Sequence, residues 1–208
     1  MNISILGDSI STYEGYNPIG NNVFYNLEKI KEYGLTNVND TWWMKVISAL
    51  NGKLCVNNSF SGSTVYEFSE YSISAKERCQ ALHTQYDDPD IILVFAGTND
   101  CLAKIPINDF YKAYDKMLKR IKERYKNAKI FCSTLTMGAL KEDVMPENIY
   151  SILLSHSDAI KKTCEENEVF IVDLLKYKKT YSANDYTHPN KEGHALIAKF
   201  WLDEIKNI

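Results

Sequence analysis

The stretch "DIILVFAGTND", Asp90 to Asp100, decides the fold: six apolar residues run without interruption from Ile91 to Ala96, and glycine, threonine, asparagine and aspartate follow. A strand with one wet face alternates apolar and polar residues, so this unbroken run predicts a strand covered on both faces, near the middle of a parallel sheet. Working outward, four more runs read as strands: "NISIL" (2–6), "KLCVNN" (53–58), "KIFCSTL" (129–135) and "VFIVDL" (169–174). Amphipathic stretches lie between them, and that alternation is the pattern of repeated βα units. The expected architecture is a three-layer α/β/α fold of flavodoxin-like layout, with a central parallel sheet of about five strands.

Helical spacing supports the covering layers. Phe110, Tyr114, Met117, Leu118, Ile121 and Tyr125 recur on one face behind a cap at Asn108 or Asp109. The stretch from Ile149 repeats the pattern through Ile152, Leu153, Ile160 and Cys164, and a last helix runs through Ala195, Ile197, Ala198, Trp201 and Ile205. Another helix begins at Thr41 and buries part of "WWMKVISAL". No internal repeat, low-complexity tract or Pro/Gly-rich linker divides the chain, so one domain is expected over 1–208. Two segments, 11–40 and 136–148, are too long and polar for minimal connections and read as binding or lid elements at the carboxyl ends of strands.

Composition narrows the function classes. With 24 Lys and Arg against 27 Asp and Glu the formal charge is −3, leaving no basic field for a nucleic acid backbone. The five cysteines are odd in number and contain no C-x-x-C pair, which reads as free thiols in a reducing compartment. There is no 18-residue apolar run, so membrane insertion is not expected. Met1 runs almost at once into the first strand, without a charged leader or apolar signal core, so the expected location is cytoplasmic. The oligomeric state is left open.

Four polar features fall at strand ends. The first strand runs into "GDSIS" (7–11), and Ser9 there reads as a helix N-cap or, given a base within reach, as a nucleophile. The second ends in "NNSFSGST" (57–64), where Gly62 can bring a backbone N–H close to a ligand. The third presents Asn99, and after the fifth comes "NDYTHPNKEGH" (184–194) with Asp185 and His188 three apart. Serine, glycine, asparagine and an Asp-His pair from distant segments thus converge on one edge of one sheet.

These residues resemble the four blocks of the SGNH (GDSL) hydrolase family, in the family's order and across nearly the whole chain. Ser9 in "GDSIS" matches the nucleophile, Gly62 in "FSGS" the second block, Asn99 in "GTND" the third, and Asp185 with His188 the last; Ile10 stands where the family name has leucine. The resemblance implies a carboxylic ester hydrolase with a Ser9-His188-Asp185 triad. It also implies an oxyanion hole from the backbone N–H groups of Ser9 and Gly62 and the side-chain amide of Asn99. No metal or organic cofactor is required. The implied partner is a small-molecule ester, and the polar, Asn- and Tyr-rich first loop favours a short acyl group on a carbohydrate-like alcohol.

Blander readings stand beside these. Asp8 adjoins Ser9 and suits a structural role in the turn. His194, six residues past His188, reads as a surface or packing residue, His156 as a satisfied core or boundary group, and Cys101 as a thiol without a base. Tyr13 and Tyr16 are candidates to line the substrate pocket. Rival functions are a lysophospholipase or thioesterase acting on longer acyl chains, and a catalytically silent glycan-binding domain on the same fold. A nucleotide-binding flavodoxin-like protein would need a glycine-rich phosphate loop, and "GDSISTYEG" is neither G-x-G-x-x-G nor a P-loop.

Overall fold

The computed structural model describes residues 1–206. In chain order its strands are β1 (Asn2–Gly7), β2 (Lys53–Asn57), β3 (Ile91–Phe95), β4 (Lys129–Ser133), β5 (Gly138–Ala139), β6 (Asp143–Val144), β7 (Phe170–Val172) and β8 (Lys179–Ser182). Its α-helices are α1 (Leu27–Glu32), α2 (Trp42–Ala49), α3 (Lys76–Gln80), α4 (Thr98–Leu102), α5 (Ile107–Arg124), α6 (Glu147–Glu166) and α7 (Lys191–Ile205).

The five longer apolar runs of the sequence form one parallel sheet in the order β2-β1-β3-β4-β7. The unalternating apolar run supplies the central strand β3, and all five residues of β3 are buried. Side chains alternate across a strand, so Ile91, Leu93 and Phe95 enter one core while Ile92 and Val94 enter the other. The first core lies under α2 and α7, where Trp42 stacks on Trp201 at 4.9 Å. The second lies under α5 and α6, filled by Phe110, Tyr114, Met117, Leu118, Leu153 and Ile160. The result is the α/β/α sandwich that the periodicity predicts, with strand order reversing direction between β1 and β3. Open sheets of this kind place ligands at the carboxyl ends of the strands at that switch point.

Local differences from the sequence reading have simple causes. Thr41 does cap α2, its Oγ1 accepting the Met44 amide at 3.3 Å. Helix α5 begins at Ile107 with Pro106 in the cap position and no side-chain cap, so neither Asn108 nor Asp109 caps it; Asp109 lies in the first turn. Proline's fixed φ starts the helix without a polar cap, and a carboxylate in the first turn meets the positive end of the dipole. Helix α6 starts the same way after Pro146, with Glu147 in its first turn. Segment 136–148 is tied down by backbone pairing, β5 parallel and β6 antiparallel to β8. Helix α1 and two short 3-10 turns organise segment 11–40.

Candidate active site

β1 delivers Gly7, after which Asp8 caps a single 3-10 turn, Ser9–Ser11, by accepting the Ile10 amide at 3.0 Å. The capping task therefore falls to Asp8, and the Ser9 hydroxyl is left for other work. Gly7 admits no side chain there, since a Cβ would lie 2.9 Å from the Phe95 carbonyl oxygen and 2.8 Å from Ser11 Oγ. Burial pushes the Asp8 carboxyl up to about 7, helped by Asp100 and opposed by the Ile10 amide and Arg78.

Ser9 Oγ lies 2.8 Å from His188 Nε2, and His188 Nδ1 lies 2.6 Å from Asp185 Oδ2. The second carboxylate oxygen of Asp185 accepts the His188 amide at 2.7 Å and the Thr187 amide at 3.0 Å, fixing the loop that carries the histidine. Burial by itself raises the Asp185 carboxyl, but the His188 amide and ring and the Thr187 amide outweigh it and hold it down at about 2. Burial lowers His188 below the usual imidazole value and Asp185 only partly restores it, so the ring is neutral at pH 7. A neutral imidazole with one nitrogen on a carboxylate and the other on a serine hydroxyl can accept that hydroxyl's proton.

Gly62 and Asn99 belong to one bonded unit. Gly62 holds φ +83°, a left-handed conformation that costs a side chain strain even though its surroundings are open. The backbone N–H groups of Ser9 and Gly62 meet no acceptor among the described residues. Asn99, in α4, donates from Nδ2 to the Ser63 carbonyl at 2.8 Å, which fixes its amide beside the Gly62 loop and leaves its second N–H free to donate elsewhere. Asp100, fully buried, accepts the Val65 amide at 2.8 Å and the Tyr66 amide at 2.8 Å, so consecutive residues of α4 grip that loop twice. From below, Arg78 donates to the carbonyls of Gly7 at 3.1 Å, Asn58 at 2.6 Å and Tyr71 at 2.7 Å, tying the ends of β1 and β2 to the 60–72 loop.

The other candidates take different places. His194 is fully buried; its Nδ1 accepts the Trp42 amide at 3.2 Å, and burial drives its pKa down to about 3. It is a packing residue with no path to Ser9. His156 is a core group buried against Phe110; burial lowers its pKa, and the Ile105 backbone beside the ring partly offsets this. Cys101 is buried, with its thiol pushed up to about 11 by desolvation and by Asp100. All five cysteines are free.

The pocket-lining role expected of Tyr13 does not fit the structure: the residue is 7% exposed and belongs to the core beneath α2. Its hydrophobic ring packs edge-on against Tyr16 at 5.8 Å, and Tyr16, though exposed, leans on Trp43. The aromatic residue on the histidine is Phe24, whose ring stacks on the imidazole with centroids 3.4 Å apart and planes 8° from parallel. Tyr33 is in contact with Asp185. Phe24 is one of the aromatics of the long first loop that the sequence offers as pocket residues, but local spacing cannot show that it meets His188 or that Tyr33 meets Asp185, since both partners lie far along the chain. Beside Gly62 lies a depression of about 220 Å³, lined by Phe60, Phe68, Tyr71 and the serines and threonine of the 60–72 loop.

The family of GDSL-like lipases and acylhydrolases matches residues 1–205. Among solved structures, a protein from Bacteroides uniformis ATCC 8492 designated a GDSL-like lipase is 30% identical, with TM-score 0.76, covering 100% of this chain and 96% of its own. Another so designated, from Bacteroides ovatus ATCC 8483, is 28% identical, with TM-score 0.77 and coverage of 100% and 98%. The esterase EstA from Pseudoalteromonas sp. shares the fold at 21% identity and TM-score 0.62, with coverage of 99% and 97%. Curated proteins give no match.

Proposed function

Since the chain belongs to the GDSL-like lipase and acylhydrolase family and is thereby a carboxylic ester hydrolase, we propose that Ser9, His188 and Asp185 carry its chemistry through an acyl-enzyme. The observation that carries this reading is the unbroken hydrogen-bonded line from Ser9 Oγ through both ring nitrogens of His188 to Asp185, at 2.8 and 2.6 Å. His188 takes the serine proton as Oγ attacks the ester carbonyl, and Asp185 holds the imidazolium that forms. The carbonyl oxygen gathers negative charge, and in this reading the Ser9 and Gly62 amides and the Asn99 side chain donate to it. Collapse expels the alcohol with the proton from His188, and water, activated by the same histidine, frees the acid.

The substrate we propose is a short acyl group, acetyl in the simplest case, on a carbohydrate-like alcohol. The polarity of the first loop no longer supports this by itself. Asn17, Asn21 and Asn22 spend their amides on carbonyls of Asn57, Ser59 and Ser61. Support comes instead from the depression beside Gly62, whose aromatic faces and hydroxyls suit a sugar ring. Its volume of about 220 Å³ falls below the roughly 300–1,000 Å³ of sites for larger ligands. Hydrolysis of p-nitrophenyl acetate, butyrate and octanoate tests the reading. The expected result is a kcat/KM that falls with each lengthening of the chain; a rise toward octanoate contradicts the short-acyl substrate.

The pH dependence follows from the same geometry. The base must be neutral, and burial lowers its pKa, so kcat/KM should rise with pH through a single acid limb whose midpoint lies below the ordinary imidazole value of 6.5. Above that midpoint the rate should be flat to neutral pH. A midpoint above 6.5, measured on p-nitrophenyl acetate, would mean that desolvation of His188 does not govern the free enzyme.

A further inference from the structure

Ser9 and His188 lie 179 residues apart in the chain, on separate loops, and must meet within hydrogen-bond distance. One segment, residues 21–35, is bonded to every loop involved. On the serine side, the Phe24 amide donates to Thr12 Oγ1 at 3.0 Å and the Glu14 amide to the Tyr25 carbonyl at 2.9 Å. On the glycine side, the Ser61 amide donates to the Asn22 carbonyl at 2.8 Å. On the histidine side, Tyr25 Oη donates to the Pro189 carbonyl at 2.6 Å, Asn184 Nδ2 to the Glu32 carbonyl at 3.0 Å, and the Lys191 amide to the Tyr33 carbonyl at 3.1 Å. Phe24 sits at the middle of this strap with its ring flat on His188.

We propose that Phe24 is a positioning residue for His188: its ring fixes the plane in which the imidazole reaches Ser9 and Asp185 together, and its π face steadies the positive charge the imidazole acquires as it takes the serine proton. The proposal rests on the triad assigned above. An imidazole hydrogen-bonded at its two nitrogens can still rock through its two side-chain torsions, and a ring lying on its face limits that motion. Tyr25, edge-on at 6.5 Å, and Tyr33, edge-on to Phe24 at 5.3 Å, close the cage. An aromatic face toward a forming cation is attractive, the more so when water is excluded.

The groups facing His188 act in both directions. Asp185 favours its charged form, while Lys29, whose ammonium lies 5.9 Å from the Phe24 ring and 5.8 Å from that of Tyr33, and burial oppose it. Tyr25 and Tyr33 are neutral, their hydroxyls pushed above the usual phenol value by burial, and His194 is neutral behind Tyr25. Removing the aromatic face while keeping water out should therefore destabilise the imidazolium.

The test is Phe24→Leu, with Phe24→Tyr as the conservative rescue, on p-nitrophenyl acetate. Leucine should lower kcat about tenfold, the order of one desolvated cation–π contact, leave KM within about twofold, and move the acid limb of kcat/KM to lower pH. Tyrosine should restore both. Phe24→Met, similar in volume, replaces leucine if that variant fails to fold. A wild-type kcat and limb in the leucine or methionine variant overturns the proposal. So does a loss of kcat shared equally by Leu, Met and Tyr with an unmoved limb, because that is the signature of a loosened strap. His188→Ala run alongside separates this outcome from failure of the triad: if that variant keeps wild-type activity, the triad itself is wrong.

Discussion

Ser9→Ala is expected to lower kcat on p-nitrophenyl acetate by roughly four to six orders of magnitude, with KM within a few-fold of wild type. In the proposed mechanism the serine hydroxyl is the group that bonds to carbon, and its side-chain hydrogen bond is to His188 at 2.8 Å, so its removal would delete the nucleophile and disturb little else. The turn survives because its cap is Asp8. His188→Ala should cost about as much, and the double variant hardly more than either single one, because nucleophile and base act as a unit. Additive losses, or a Ser9→Ala enzyme with more than about a hundredth of wild-type kcat, would be incompatible with the proposed mechanism.

The second large effect belongs to Asn99. Loss of one oxyanion donor usually costs about 100- to 1,000-fold in turnover, or roughly 3–4 kcal/mol. In the proposed mechanism Asn99 is one such donor, and a bond unrelated to substrate, from its Nδ2 to the Ser63 carbonyl at 2.8 Å, fixes its amide. Asn99→Ala should therefore reduce kcat by about that factor with little change in KM, since the charge appears only in the transition state. Asn99→Asp, which keeps the shape but brings a carboxylate to both the Ser63 carbonyl and the oxyanion, should be at least as damaging. An equal rise in KM with unchanged kcat would instead make Asn99 a ground-state contact. Circular dichroism melts of both variants would distinguish a lost donor from a collapsed Gly62 loop.

The framework of this site was readable because it is built from local signals. An unalternating run gives a buried strand, periodic apolar residues give a covering helix, and the residues just past each strand are forced onto one sheet edge by the parallel topology. Ser9, Gly62 and Asn99 are of this kind; Asp185 and His188 come only after β8, a strand of the small second sheet that the sequence reading does not contain. What escaped was what depends on tertiary contact alone. Tyr13 is four residues from Ser9, yet the 3-10 turn directs the chain so that its ring enters the core under α2. Phe24, farther away in sequence, returns to lie on His188. The asparagines of the first loop look like ligand-binding amides in a sequence, but the loop has its own backbone carbonyls to satisfy, and the amides of Asn17, Asn21 and Asn22 are spent on the 57–61 segment.

Buried charge was the other hidden layer. Nothing in the sequence around Asp100 or Arg78 marks either for a particular role. In the fold both serve the backbone: Asp100 accepts two amides and Arg78 serves three carbonyls, all in or beside the loops that carry Ser9 and Gly62. Hydrogen bonds of ionised groups are stronger than neutral ones, and leaving such partners unpaired in the interior is expensive. That holds the Gly62 loop without any regular secondary structure of its own.

The central claim is that Ser9 becomes acylated, and intact-mass spectrometry of the protein mixed rapidly with excess p-nitrophenyl acetate tests it most directly. The account predicts a transient gain of one acetyl group, mapped by peptide fragmentation to Ser9, abolished in Ser9→Ala and decaying with the rate of acetate release. A catalytically competent adduct on another residue, or acetate released at an undiminished rate by Ser9→Ala, would contradict it.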